Sequence, residues 1–357
     1  MPRIAIVVAA FLCACLTSAY AAGTDRIDLK LDTSEAEAAL TIIDKNAAHQ
    51  QITDDDWKRL FTSEPYTRLK KREASFRRDF TDDQFKKFVL SDSLASARSD
   101  FHKTLAEWKK ANLTAVAAHP LAYLPAEAKI RAKVYPVIKP RTNSFVFEAT
   151  TDPAIFLYLD PAIPQPQFEN TVAHELHHIG LSSLSAAYEE KIKILSPEAH
   201  KVAHWMGAFG EGMAMLAAAG SPDVSPVADF PQSDQSCWQQ DTKIADTELD
   251  QINQFFLDIV HGDYKNLEAA DHEAYTFFGY RGPWYVVGYK MATTIERQFG
   301  RATLVETLKD PRAFMLKYNQ AASAINTRDG DKLAMFSPEI LEAVGVKPEN
   351  PSAGKGE

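Results

Sequence analysis

Two histidines four residues apart, His174 and His178, constrain this chain more than any other feature. They lie in the stretch Thr171-Val172-Ala173-His174-Glu175-Leu176-His177-His178-Ile179-Gly180. On an α-helix such a pair projects only about 40° apart and can grip a single ion. At roughly 100° per residue, Phe168, Val172, Leu176 and Ile179 gather on the side nearly opposite the imidazoles. The segment therefore reads as an amphipathic helix over about 168–179 with an apolar back and a chemical front, closed by Gly180 as a left-handed C-cap. Glu175 sits about 80° round from the middle of the pair, too far to be the natural third ligand but near enough to reach a water on the ion. His177 is displaced similarly on the other side.

His174-Glu175-x-x-His178 is the H-E-x-x-H pattern of zinc hydrolases. Three fixed residues can arise by coincidence, and the amphipathic phasing argues against that. A structural zinc site is the other ordinary explanation, but such sites are usually closed by four ligands rich in cysteine. The cysteines here are Cys13, Cys15 and Cys237. The first two fall in Met1-Pro2-Arg3 and the apolar run that follows, which with Ala19-Tyr20-Ala21 reads as a secretory signal peptide over 1–21. Export to the periplasm or the extracellular space is expected, with a lipid anchor at Cys15 as the alternative, since Leu12-Cys13-Ala14-Cys15 loosely resembles a lipobox. Cleavage leaves Cys237 alone, beside Trp238, and a packed residue is expected there rather than a nucleophile. No later stretch is long enough to span a bilayer. A net charge of −9 argues against a nucleic-acid partner.

Along the chain, 22–125 reads as a helical N-terminal region, with helix starts at Thr33, Thr53 and Thr81. A catalytic region is expected over 126–346. Its first part carries three short strands, Ile130–Ile138, Ser144–Ala149 and Ala154–Asp160, immediately before the metal helix. Ala154–Asp160 could be an edge strand to which an extended peptide adds, or an ordinary core strand. Ser196-Pro197-Glu198 has the N-cap and N1-proline signature of a helix running toward Ala219. Gly282-Pro283 opens another that ends near Gly300, and Asp310-Pro311 starts a third. Residues 347–357 read as a flexible tail.

Within the 197–219 helix, Ala203, Gly207, Gly210, Ala214 and Ala218 form a stripe of small residues that another helix can approach closely. Glu211 falls inside that stripe. A carboxylate there needs a partner, because an unpaired buried charge costs several kcal/mol, and a zinc ion would supply one. Glu189, Glu190, Glu198, His200 and His204 are the competing third ligands, with His204 the strongest because it lies on roughly the same face. Hydrolysis also needs a donor to the developing oxyanion. Tyr285 is the first choice, then Tyr289, with Arg281 and His272 nearby and core packing the ordinary explanation for each tyrosine.

His174-Glu175-x-x-His178 followed by Gly210-Glu211-Gly212-x-Ala214 resembles the gluzincin group of zinc metallopeptidases. More closely, Phe168 to Gly180 with Gly210 to Ala214 resembles an uncharacterised bacterial family of zinc-dependent peptidases, a domain of unknown function. The resemblance implies one zinc ion per chain held by His174, His178 and Glu211, with Glu175 as general base and a peptide or protein as substrate. The glutamate lies much further beyond the second histidine than in the better-known gluzincins. The fold expected is α+β, mostly helical and zincin-like, with a small β-sheet packed beside the metal helix. A non-catalytic zinc-binding envelope protein, or a zinc hydrolase of a non-peptide amide or ester, are the competing functions.

Overall fold

The structure, a computed structural model, describes residues 25–279, 281–330 and 332–346. The stretch read as a signal peptide, with Cys13 and Cys15, and residues 347–357, read as a tail, lie outside the described residues. The protein is mostly helical with one four-stranded sheet, in agreement with the α+β expectation. It divides into two compact units, one running to Ala117 and including Lys129–Val172, the other formed by Ala118–Ala128 and the chain from Ala173 onward.

The first unit holds the sheet. Strands β1 (Ile27–Leu31), β2 (Ile130–Val137), β3 (Phe145–Phe147) and β4 (Ala154–Tyr158) are ordered β1-β2-β4-β3, and the β3–β4 pair alone is antiparallel. Three of these match the sequence expectation to within a few residues. β1 was not expected, although Ile27-Asp28-Leu29-Lys30-Leu31 alternates in the required way, with partly buried residues between exposed ones. β4 is flanked on both sides, so both of its edges are already paired. It is the core strand, and strand addition to it is excluded.

Helices α1 (Ser34–Ala47), α2 (Asp54–Phe61), α3 (Glu64–Ser75), α4 (Asp82–Val89), α5 (Asp92–Trp108) and α6 (Leu113–Leu121) separate β1 from β2. The threonine starts are real. Thr53 and Thr81 each close a capping box, with Asp56 and Gln84 respectively, whereas Thr33 turns its hydroxyl to Glu37 instead of capping the backbone. α1 buries Ala36, Ala39, Leu40 and Ile43, and also the carboxyl of Glu35, which accepts from the Ile138 N–H at the end of β2 at 2.9 Å.

Helix α7 (Gln165–Ser182) carries the histidine pair. Its apolar back is as the phasing requires, since Phe168, Val172, Leu176 and Ile179 are all buried. Phe168 stacks on Trp108 at 4.3 Å. Gly180 is not the C-cap, because the helix continues to Ser182. Glycine is needed for a different reason: a Cβ there would stand 2.3 Å from Leu124 Cδ1.

The second unit continues through α8 (Ser185–Ile192), α9 (Pro197–Met206), α10 (Gly210–Ala219), α11 (Gln232–Asp241), α12 (Ala245–His261), α13 (Leu267–Thr276), α14 (Pro283–Phe299), α15 (Arg301–Thr307), α16 (Pro311–Asp329) and α17 (Pro338–Ala343). The helix expected over 197–219 is broken by a 3₁₀ turn at Gly207–Phe209, where glycines weaken the α-helical ladder. Gly282-Pro283 and Asp310-Pro311 open helices as expected. Trp205, Phe209, Phe256 and Trp284 form the aromatic centre of the main core. Among the described residues, no helix is long and apolar enough to cross a membrane.

Burial is the main influence on the Glu35 carboxyl, and it outweighs the Ile138 hydrogen bond and the charge of Lys139, pushing the pKa from 4.5 up to about 8. Its neutral form therefore supports the fold at acid pH. That support fades as pH rises from about 4.5 to about 8, because the unfolded chain ionises first. Glu35→Gln should remove this dependence and be more stable than wild type at alkaline pH by about 1–3 kcal/mol, read from urea unfolding on both sides of neutrality. Parallel pH profiles for the two proteins would show that Glu35 ionises freely.

Candidate metal centre

Three elements of the second unit build the centre. α7 supplies the imidazoles, and its i, i+4 spacing places the two rings 4.7 Å apart. The 3₁₀ turn at Gly207–Phe209 runs directly into α10, and Glu211 falls in the first turn of that helix. α14 supplies Tyr285.

The close approach that joins α10 to α14 is not made by the expected stripe. It is made at Gly212 and Gly288. A Cβ on Gly212 would stand 2.0 Å from Tyr289 N and 2.3 Å from Tyr285 O, and one on Gly288 would stand 2.4 Å from Phe209 O. The two helices therefore cross backbone to backbone. Glu211 and Tyr285 are brought together because each adjoins this crossing. Of the stripe, Ala203, Ala214 and Ala218 are buried, but Gly207 is exposed and a Cβ there would meet nothing within 4 Å.

The ligand atoms converge closely. His174 Nε2 and His178 Nε2 are 3.1 Å apart, and Glu211 Oε2 lies 3.3 Å from the first and 3.2 Å from the second. Among the described residues, this trio is the group of three such side chains whose donor atoms lie within 4.8 Å of one another. His178 keeps 25% of its side-chain exposure against 14% for His174, so the centre opens on the His178 side.

Electrostatics follow from that convergence. Burial opposes charge on His178, but the Glu211 carboxylate more than offsets it and lifts the imidazole to about 9. Burial likewise opposes charge on Glu211, and the two imidazoles overcome it, holding the carboxyl well below its ordinary range. Burial and then the charge of Glu211, to which its hydroxyl hydrogen-bonds, push the Tyr285 phenol upward, so it stays a protonated donor. Its ring lies parallel to that of His174 at 6.3 Å. Glu175 is half-buried, and its charge is felt at both His178 and Tyr285.

The remaining candidates sit elsewhere. Tyr289 packs edge-on to Trp238 at 5.2 Å, in a small cluster with Met215 and Val286. Arg281 is buried and donates to the Asp234 carbonyl at 2.7 Å, and His272 is exposed. His204 is exposed and stands edge-on to Trp205. Glu189 faces His200 at 4.0 Å, Glu190 pairs with Lys193, and Glu198 occupies the first turn of α9. Cys237 is exposed rather than packed; its neighbour Trp238 is the buried residue. One residue had been given no role by sequence. His177, itself on α7, is fully buried, its Nε2 3.4 Å from the Tyr123 carbonyl. Burial first, then the positive charges of His178 and His174, bring its pKa down to about 3, so it is a neutral packing residue.

The family model described as "Putative zinc dependent peptidase (DUF5700)" matches residues 57–327. The chain belongs to this family. The match takes in α7, α10 and α14 and most of the sheet unit as well. Searches of curated proteins and of solved structures returned no match.

The glycine crossing gives a direct test. Gly212→Ala should lower the unfolding free energy by about 3 kcal/mol, because the methyl meets backbone atoms that cannot yield without separating the helices. Gly207→Ala should leave stability unchanged or raise it by up to about 1 kcal/mol. Equal effects of the two in urea unfolding would contradict the crossing geometry.

Proposed function

We propose that this chain is an exported zinc metallopeptidase in which His174, His178 and Glu211 hold one zinc ion and Glu175 is the general base. The observation that carries the reading is the spacing of the three donor atoms. A tetrahedral ion with bonds of about 2.0–2.1 Å keeps its ligand atoms roughly 3.3 Å apart, and the observed separations are 3.1, 3.2 and 3.3 Å. Two imidazole nitrogens and one carboxylate oxygen are the donor set of catalytic zinc. The family description points the same way. Export rests on the leader-like sequence of residues 1–21.

Zinc bound by these side chains would act as a Lewis acid, making water acidic near neutral pH and polarising a carbonyl. The chain's own residues do the rest. The Glu175 carboxylate takes the proton from the attacking water and delivers it to the amine as the peptide bond breaks. The Tyr285 hydroxyl, protonated and adjacent to Glu211, donates a hydrogen bond to the carbonyl oxygen as negative charge develops there. His177 and the apolar back of α7 keep the two imidazoles at a fixed spacing.

Each role has its own signature. Glu175→Gln should reduce turnover by roughly 10²–10⁴-fold with zinc per chain unchanged, and unaltered turnover would sink the peptidase reading. Tyr285→Phe should lower kcat by about 10²-fold with little change in KM. Glu211→Ala should lose zinc by elemental analysis. Full zinc occupancy in that variant would show that another side chain is the third ligand.

A further inference from the structure

One cavity of about 380 Å³ has His178 in its wall, on the open side of the proposed zinc site. It is lined by Leu181, Leu184, Tyr188, Trp205, Phe278 and Leu308. Leu181 is one turn beyond His178 on the same face of α7, so the cavity begins where the ligand side chain ends. The polar tips of the two amphipathic rings are engaged within the protein. Trp205 Nε1–H donates to Asp271 at 2.8 Å, and the Tyr188 hydroxyl donates to the Ala203 carbonyl at 2.7 Å. What these rings offer the cavity is carbon. The two charged residues of the lining have partners, since Lys309 is paired with Glu127 and Glu306 at 3.2 Å each and Glu189 faces His200 at 4.0 Å, while Ser182, Ser185 and His204 complete its polar part.

The glycines of the same wall are an independent observation. Gly207 and Gly210 both have ordinary right-handed helical backbone angles, with φ of −60° and −54°. No conformation therefore demands glycine at either position. Packing does not demand it either, since a Cβ on Gly207 would meet nothing within 4 Å and one on Gly210 would meet only Leu181 Cδ1, at 4.0 Å. Gly212, two residues further on, is the contrast, because its missing Cβ is filled by another helix. Glycine is a poor helix former, so two of them in such a place leave space that the polypeptide itself does not use.

The geometry points to this cavity as a specificity pocket that receives a large apolar or aromatic side chain of the substrate, flanking the bond to be cut, with Gly207 and Gly210 keeping it open. The inference rests on the peptidase reading of the zinc site. The larger, apolar part of such a pocket gains from each methylene it buries.

The experiment compares wild type with Gly207→Leu, both assayed for zinc content, on a mixed peptide library. Matched peptides differing only by Phe or Ala at the residue flanking the cut then give the kcat/KM ratio. Wild type is expected to favour Phe, and the filled pocket to lower the Phe-to-Ala ratio by roughly 10- to 100-fold at equal zinc content. Gly207→Ala should lower it by a smaller factor, and Leu184→Ala supplies a check from another lining residue by raising tolerance for Trp. Chelator-sensitive cleavage whose preference does not move in any variant would overturn the pocket and leave the peptidase reading standing. No chelator-sensitive cleavage by zinc-loaded wild type would overturn the peptidase reading itself, and the pocket with it.

Discussion

The backbone contact between Gly212 on α10 and Gly288 on α14 is what the metal-centre half of the protein depends on. Side chains of any size at either position would hold the helices apart, since the distances available to a Cβ are 2.0–2.4 Å. Both chemical groups that must come to the histidine helix from elsewhere are anchored next to this crossing. Glu211 adjoins Gly212, and Tyr285 lies one turn before Gly288. A shift of the two helices by the width of a methyl group would move a carboxylate and a phenol relative to two imidazoles whose spacing α7 alone sets. A tetrahedral ligand set tolerates only a few tenths of an ångström.

The charges of the centre make sense only together. Burial works against the charged forms of both Glu211 and His178, and it is outweighed at His178 by the Glu211 carboxylate and at Glu211 by the two imidazoles. The same burial keeps His177 neutral and Tyr285 protonated, so one low-dielectric environment yields a charged face and a neutral back on a single turn of helix. The centre is also uneven in access, with His178 more exposed than His174. The apolar cavity lies on the His178 side. In the proposed peptidase that cavity is the link between the chemistry and selectivity.

Much of this was legible beforehand where physics is local. Capping boxes at Thr53 and Thr81, proline at N1 in α9, α14 and α16, and the apolar phase of α7 depend on residues within a turn or two of each other. Strands β2 to β4 were visible for the same reason, and β1 could have been found from the alternation of Ile27, Leu29 and Leu31. Glu211 was reached by asking what a carboxylate among small residues could be paired with. Non-local facts were not legible. The interior position of β4 is set by its pairing with β2 and β3, and the break at Gly207–Phe209 and the continuation of α7 through Gly180 turn on whether a given glycine interrupts a helix, which the pattern around it leaves open. The small-residue stripe misled for the same reason: glycine marks close approach, but sequence does not say whether a helix, a loop side chain or a substrate is what approaches.

The sequence by itself determined the chemistry of one helix: two imidazoles at ion-gripping distance, a carboxylate beside them and an apolar back, all of which follow from the 3.6-residue period. Tertiary structure decided which residues meet that helix. It brings Glu211, and not His204, within 3.3 Å of the imidazoles and places Tyr285, rather than Tyr289, beside them. Its reason was one that no local pattern encodes, a crossing of two helices so close that only hydrogen fits between their backbones.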